Sequence, residues 1–369
     1  PPPLFFFTPT TPPPPILSGL VGSEMCIRDR GYPPYIVAEI SANHNGELSQ
    51  AITLINKAKK AGAQAVKLQT YTPDTITLNH RSPDFIIQSG LWKGQTLYDL
   101  YQKAHTPWHW HEELINHAKA IGLTVFSSPF DETAVDFLES FDLPAYKIAS
   151  PEIVDLNLIA KCAETRKPLI ISTGMANLEE INEALSAAYE GGAKEIVLLH
   201  CVSAYPTPLE ESNLSAITTL KEKFDIPVGL SDHTSSTLTT LVAVGLGAVL
   251  IEKHITLSRE NNGLDDAFSL EPAEFKKLST DAQLAFSALG KLEVNLSKTE
   301  NEMLFARRSL YVVADIRKGE VFTKENVRSI RPSHGAHPKH LKGILGKCAA
   351  RNLFKGQAFN LDMIKSDKI

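Results

Sequence analysis

From residue 35 onward, short apolar runs rich in β-branched residues alternate with longer amphipathic stretches, and the alternation repeats eight times. The runs are 35–40, 65–69, 123–127, 145–148, 169–172, 196–201, 228–230 and 249–253. Between them the apolar spacing changes to a helical period over 48–61, 111–120, 132–141, 178–190 and 215–224. Gly62, Gly122 and Gly191 stand where helix C-caps are needed. Strands that alternate with helices pair in parallel, which leaves a closed TIM (β/α)8 barrel or an open doubly wound sheet. Eight units match a barrel of about 250 residues, so an α/β TIM barrel is the expected fold.

Residues 31–290 are accordingly expected to form a catalytic barrel, with 291–303 as a polar linker and 304–369 as a second, compact block of short strands and turns. That block carries turn signals at Arg317-Lys318-Gly319, Arg331-Pro332 and Lys355-Gly356-Gln357. At about 65 residues it needs support from a neighbour. Residues 1–30 are different again, with eight of the 23 prolines, a Phe5-Phe6-Phe7 cluster and four charged residues. They lack the basic start and the apolar core of about 7–15 residues that a secretory signal requires. They read as a non-native or disordered extension.

A formal charge of −5 without a basic stripe gives nothing to neutralise a phosphate backbone, so nucleic acid is not the expected partner. The longest apolar run, 241–251, is eleven residues, short of the roughly 18 of a membrane span, and reads as core. Cys26, Cys162, Cys201 and Cys348 are irregularly spaced with no CxxC, which fits a reducing cytoplasm.

Polar residues collect where the eight runs end. Glu39 and the Ser41–Asn45 stretch follow the first; Lys67 and Gln69 lie on the second, Ser127-Ser128 on the third, Lys147 and Ser150 at the fourth. Ser172-Thr173-Gly174, His200 to Tyr205, Ser231-Asp232-His233, and Glu252 with His254 complete the ring. Solvated residues placed at random would scatter over both ends of a barrel. One polar site at the C-terminal face is the expected consequence.

His233 and His254 end adjacent strands and should converge across the mouth. Neutral imidazoles joined by oxygen ligands suit a divalent first-row cation with open positions; the alternative is a pair of hydrogen-bonded barrel histidines. His200, alone at its strand end, reads as a satisfied core group. Lys67 and Lys147 lie on barrel strands, where an ammonium is paired or functional. They read first as anion clamps, with the hydroxyls of Ser128, Ser150, Ser172 and Ser231 completing a phosphate cradle. A Schiff-base lysine, favoured by a desolvated amine, is the competing chemistry, and a structural ion pair the third reading. Glu39 and Glu252 are candidate acid/base or hydroxyl-orienting carboxylates, or else structural partners.

These residues fall in segments that resemble the signatures of the sialic acid synthase family. They are Ala-Glu-Ile-Ser-Ala-Asn-His-Asn-Gly (38–46), Lys-Leu-Gln-Thr (67–70), Tyr-Lys-Ile-Ala-Ser (146–150), Ser-Thr-Gly-Met (172–175), Tyr-Pro-Thr-Pro (205–208), Gly-Leu-Ser-Asp-His (229–233) and Glu-Lys-His (252–254). Seven ordered blocks are far more specific than any one motif. The C-terminal block, with Arg308-Ser309-Leu310, Lys318-Gly319-Glu320 and Ile330-Arg331-Pro332, is similar to the antifreeze-like (SAF) domain of these synthases. Within the family, the stretch from Tyr71 to Trp108 and Phe126-Ser-Ser-Pro-Phe130 look like the pseudaminic acid synthase branch; neuraminate and legionaminate synthases are the alternatives.

The resemblance implies a transferase that condenses phosphoenolpyruvate with an open-chain N-acetylated amino-sugar aldehyde, phosphate leaving by C–O cleavage. It implies a divalent metal on His233 and His254, manganese first with magnesium or cobalt as alternatives, and no organic cofactor. Lys67, Ser128, Lys147, Ser150, Ser172 and Ser231 would hold phosphoenolpyruvate, Gln69 would join the substrate-binding set, and Glu39, Tyr205, Glu252 and Asp265 would face the sugar. Ser203 stands where an asparagine is usual, which leaves its phosphate contact open. The small domain would cap a partner's barrel in a domain-swapped homodimer, Arg331 reaching the sugar. A Schiff-base aldolase and a non-catalytic carbohydrate- or ice-binding protein are the competing function classes.

Overall fold

The computed structural model of the chain describes residues 32–261, 263–290 and 293–366, and the expectation for residues 1–30 lies outside them. Eight strands, β1 (Tyr35–Glu39), β2 (Ala65–Thr70), β3 (Thr124–Pro129), β4 (Tyr146–Ile148), β5 (Leu169–Ser172), β6 (Ile196–Cys201), β7 (Val228–Asp232) and β8 (Leu250–His254), close into a barrel in chain order. Every neighbouring pair is parallel, and β1 seals the ring against β8 from Tyr35 opposite Leu250 to Glu39 opposite His254. This is the expected TIM barrel, with strand limits within two residues of those read from the sequence.

Alternation along the strands explains both the core and the polar ring. The barrel interior is filled by Tyr35, Val37, Ala65, Phe126, Ala145, Ile170, Val197, Leu199 and Leu250. Two residues further along the same strands the inward positions become Glu39, Lys67, Lys147, Ser172 and Glu252, which line a cavity. Gly229 takes an inward position on β7, where a Cβ would lie 2.7 Å from Leu199 Cδ2 and strike the Leu250 carbonyl, so the interior has no room for a side chain there. The alternate residues, among them Ile36, Ala38, Val66, Leu68 and Val125, pack outward in the larger core shared with the helices.

The helices bury one stripe each. Leu48–Lys60 buries Ala51, Leu54, Ile55 and Ala58, and Leu178–Glu190 buries Ile181, Ala184, Leu185 and Ala188, both at i, i+3, i+4, i+7. Asn177 and Glu180 form a capping box at the start of the second. Gly62 and Gly122 turn the chain at φ +91° and +68° after their helices, whereas Gly191 keeps a helical φ of −70° and Gly192 takes the left-handed position at +100°. The apolar run 241–251 is also not a single element. It crosses the end of the helix Leu238–Gly245, a turn at Gly247 (φ +88°) and most of the apolar start of β8.

The chain divides into two compact units between Gly290 and Lys291. In the second, β9 (Ser309–Val312) and β10 (Val327–Ile330) pair antiparallel over a core that includes Leu310, Val312, Ile316, Phe322, Val327 and Phe359. The stretch read as a linker contains a short helix, Lys298–Glu302, started by a Ser297–Glu300 capping box. Among the described residues no helix is long and apolar enough to cross a membrane.

Candidate active site

The polar strand ends surround a cavity of about 240 Å³ within the first unit. At its floor the Lys67 ammonium sits 2.8 Å from Glu39 Oε2 and 2.8 Å from Glu252 Oε1. The Lys147 ammonium lies 3.8 Å from the same Glu252 oxygen and donates to the Ser172 hydroxyl at 2.7 Å. Ser231 donates to Glu252 at 3.0 Å. All of these groups are buried, so each charge is strongly felt by the others.

That burial sorts the titrating groups. Desolvation alone would raise Glu252, but Lys147 and Lys67 overcome it and hold the carboxyl at about 2. Glu39 shifts the other way, raised chiefly by burial. Burial would lower Lys67, yet its two carboxylates raise it. Lys147, with weaker pairing, is lowered by burial to about 8. Lys67 is therefore a firm cation, Glu252 a firm anion, and Glu39 and Lys147 the groups whose charge is easiest to change.

Beside the lysines, Ser150 accepts the Gly174 N–H at 3.1 Å. A Cβ at Gly174 would sit 2.7 Å from Ser150 Oγ and strike Ser203 Oγ, so the close approach requires glycine. On the opposite side, Gln69 Nε2 donates to Ser41 Oγ at 3.1 Å, and Ser41 in turn donates to the Asp265 carboxylate. Ser41 holds a left-handed φ of +44° to make that turn. Tyr205 packs its ring 4.5 Å from His233, and Asp265 is raised by burial.

The NeuB family profile matches residues 54–294 and the SAF domain profile residues 307–365. The chain belongs to the NeuB family. It is 46% identical over 324 residues to the pseudaminic acid synthase of Campylobacter jejuni subsp. jejuni serotype O:23/36 (strain 81-176), covering 88% of this chain and 94% of the relative. The pseudaminic acid synthase of Helicobacter pylori is 45% identical over 334 residues, covering 90% and 98%. Among solved structures, an N-acetylneuraminic acid synthetase from Leptospira borgpetersenii in complex with citrate matches with a TM-score of 0.68 and 31% identity, over 76% of this chain and 93% of that one.

In this member of the NeuB family the two cavity imidazoles have ring centroids 5.3 Å apart. His233 Nδ1 lies 3.0 Å from the Val202 carbonyl, which fixes the proton on Nδ1 and leaves Nε2 as a donor to a metal. His254 Nδ1 is buried with no hydrogen-bond partner, an atom that a ligand or metal would satisfy. Among the described residues no group of three or more metal-ligating side chains is gathered. Two imidazoles with open positions fit a cation completed by substrate and water oxygens.

Of the residues expected from the sequence, Glu39, Lys67, Gln69, Lys147, Ser150, Ser172, Tyr205, Ser231, His233, Glu252, His254 and Asp265 all border the cavity. Ser128 and Ser203 do not border it: Ser128 is buried with an unpartnered hydroxyl, and Ser203 Oγ lies 3.9 Å from Cys201 Sγ. Arg331 is exposed on the second unit. His200 is a satisfied core group, its Nε2 2.8 Å from the Ser212 carbonyl.

The sequence reading missed several lining groups. Glu152, just after β4, is raised to about 7 by burial. Tyr71, Ile76, Trp92, Leu100 and Tyr101, from the long β2–β3 connection, make an apolar wall. Trp92 anchors that wall by donating to the Leu264 carbonyl at 3.1 Å and packing 5.8 Å from Tyr205. A larger hollow of about 660 Å³ on the same connection is bordered by Arg81, Asp99 and Lys103 and contains none of the buried charges. The chemistry belongs to the smaller cavity.

Proposed function

We propose that the chain is a pseudaminic acid synthase. It condenses phosphoenolpyruvate with the open-chain aldehyde of 2,4-diacetamido-2,4,6-trideoxy-β-L-altropyranose and water, giving pseudaminic acid and phosphate. The observation that carries this reading is the cluster of Lys67, Lys147, Glu39 and Glu252 beside His233 and His254 at one barrel mouth.

C3 of phosphoenolpyruvate attacks the aldehyde carbon, which becomes an alcohol on protonation. The cation left at C2 is captured by water, and the resulting tetrahedral centre collapses to a ketone as the C2–O bond to phosphate breaks. Lys67, Lys147, Ser150, Ser172 and Ser231, which border the cavity, hold the phosphate and carboxylate of phosphoenolpyruvate. Glu39, readily protonated, supplies or takes a proton near the sugar, while ionised Glu252 orients it. Asp265, Tyr205 and Gln69 complete the sugar side. His233 and His254 would hold a divalent cation, manganese ahead of magnesium or cobalt, whose chemistry is Lewis-acid polarisation of the aldehyde oxygen.

The wall of Ile76, Trp92 and Leu100 supports the choice of sugar. It suits N-acetyl methyls and a deoxy carbon, and would leave extra hydroxyls without partners. This disfavours a neuraminate precursor more than a legionaminate one, which differs in stereochemistry. The second unit caps a partner's barrel in a domain-swapped homodimer, with exposed Arg331 reaching the partner's sugar. A need for phosphoenolpyruvate supports a cytoplasmic site of action.

A Schiff-base aldolase on Lys147 is the second reading, favoured by the depressed amine. Against it, the amine is directed onto Ser172 and toward Glu252, an anion-holding arrangement. Phosphoenolpyruvate carrying heavy oxygen in its C–O–P bridge should deliver all of the label to phosphate. Label retained in the sugar acid, or a borohydride-trapped pyruvate adduct on Lys147, would overturn the synthase reading.

A further inference from the structure

Two buried charges of the barrel take no part in the cavity. Asp232 and Lys253 are register partners on β7 and β8, with carboxylate and ammonium 2.8 Å apart, and both are buried. The next residue in the chain after each is a cavity imidazole, His233 immediately past β7 and His254 at the end of β8. Since side chains alternate along a strand, the ion pair lies on the outer face of the two strands whose inner face presents the imidazoles.

The pair is the centre of a larger knot. Asp232 Oδ1 accepts the Thr234 N–H at 2.9 Å, and Oδ2 accepts the Thr239 hydroxyl at 2.6 Å from the following helix. Lys253 donates to the Thr234 carbonyl and, at 3.2 Å, to the Ser236 carbonyl. The residues on both sides of His233 are therefore held, and the residue before His254 is the other half of the clasp.

A buried ion pair is a poor route to stability alone, because desolvation offsets its attraction and an apolar pair of similar volume is often as stable. What such a pair supplies is fixed geometry at several atoms at once. We infer that Asp232 and Lys253 are positioning residues for the imidazole pair, setting the spacing and orientation at which His233 and His254 hold a divalent cation. The inference rests on the two-histidine metal reading above. Partners bonded directly to metal ligands typically change affinity by about 10–100-fold; this clasp acts on the imidazoles through the backbone of the adjoining residues, so the low end of that range is expected.

The test is Mn2+ binding to the full chain without substrates, read from the paramagnetic resonance signal of free Mn2+. Wild type, His233→Ala, the double variant Asp232→Leu with Lys253→Met, and Thr239→Val are compared, with circular dichroism as the check on folding. Wild type should bind, His233→Ala should not, and the folded double variant should bind at least about tenfold more weakly. Thr239→Val, which removes only one bond to Asp232, should weaken binding in the same direction. A folded double variant with wild-type affinity would overturn the positioning role while leaving the metal reading intact. No binding by wild type would overturn both. Should the double variant fail to fold, Thr239→Val decides: weakened binding supports the role, and unchanged binding overturns it.

Discussion

The Lys67 ammonium lies 2.8 Å from a Glu252 carboxylate oxygen, joining β2 to β8 across Glu39 on the strand between them. One cation thus separates two buried carboxylates. Lys67→Met should leave them facing each other and destabilise the fold by about 3–5 kcal/mol, the usual penalty for breaking a buried pair from one side. Urea unfolding measures it, and a loss below about 1 kcal/mol would show that the carboxylates do not depend on Lys67.

Glu152 should make stability depend on pH. Its carboxyl is raised from 4.5 to about 7 by burial, so the folded protein binds a proton that the unfolded chain has lost. The associated stability is complete below pH 4.5 and disappears as pH rises through 7. Relative to wild type, Glu152→Gln should therefore gain about 3 kcal/mol between acid and mildly alkaline solution. A pH-independent difference between the two proteins in denaturant titrations would contradict the assignment.

The strands and most of the cavity were legible because period-two alternation and strand ends are local signals. Lys67, Lys147 and Glu252 stand out as charges where a barrel strand should be apolar. Parity along a strand also separates Asp232 from its neighbours: listing the polar end of the seventh strand put it with the cavity ring, whereas it turns to the helix layer and bonds Thr239. Trp92 and Glu152 were not legible as site residues. Each sits in a connection whose path depends on distant contacts, Trp92 on the Leu264 carbonyl and Glu152 on the packing after β4. Gly191 caps its helix as read, but the positive φ falls on Gly192; two consecutive glycines both satisfy the composition rule, and only the backbone separates their roles.

His233→Ala and His254→Ala should each abolish turnover while preserving the circular dichroism spectrum, because the imidazoles fill no core position in the apolar interior. A chelator should silence the wild-type enzyme and added manganese should restore it. Full activity in excess chelator would exclude the metal role.

Arg331→Ala should raise the KM for the amino sugar more than that for phosphoenolpyruvate, since the proposed capping contact is to the sugar alone. Equal effects on both substrates would remove Arg331 from the sugar site.

Phosphate release from phosphoenolpyruvate, measured with the pseudaminate, legionaminate and neuraminate precursor sugars in parallel at matched concentration and with manganese present, tests both the reaction and its sugar. The 2,4-diacetamido-2,4,6-trideoxy-altrose should give the highest kcat/KM, with one nonulosonic acid formed per phosphate. No phosphate with that sugar, or a higher kcat/KM with either of the others, would contradict the assignment of this chain as a pseudaminic acid synthase.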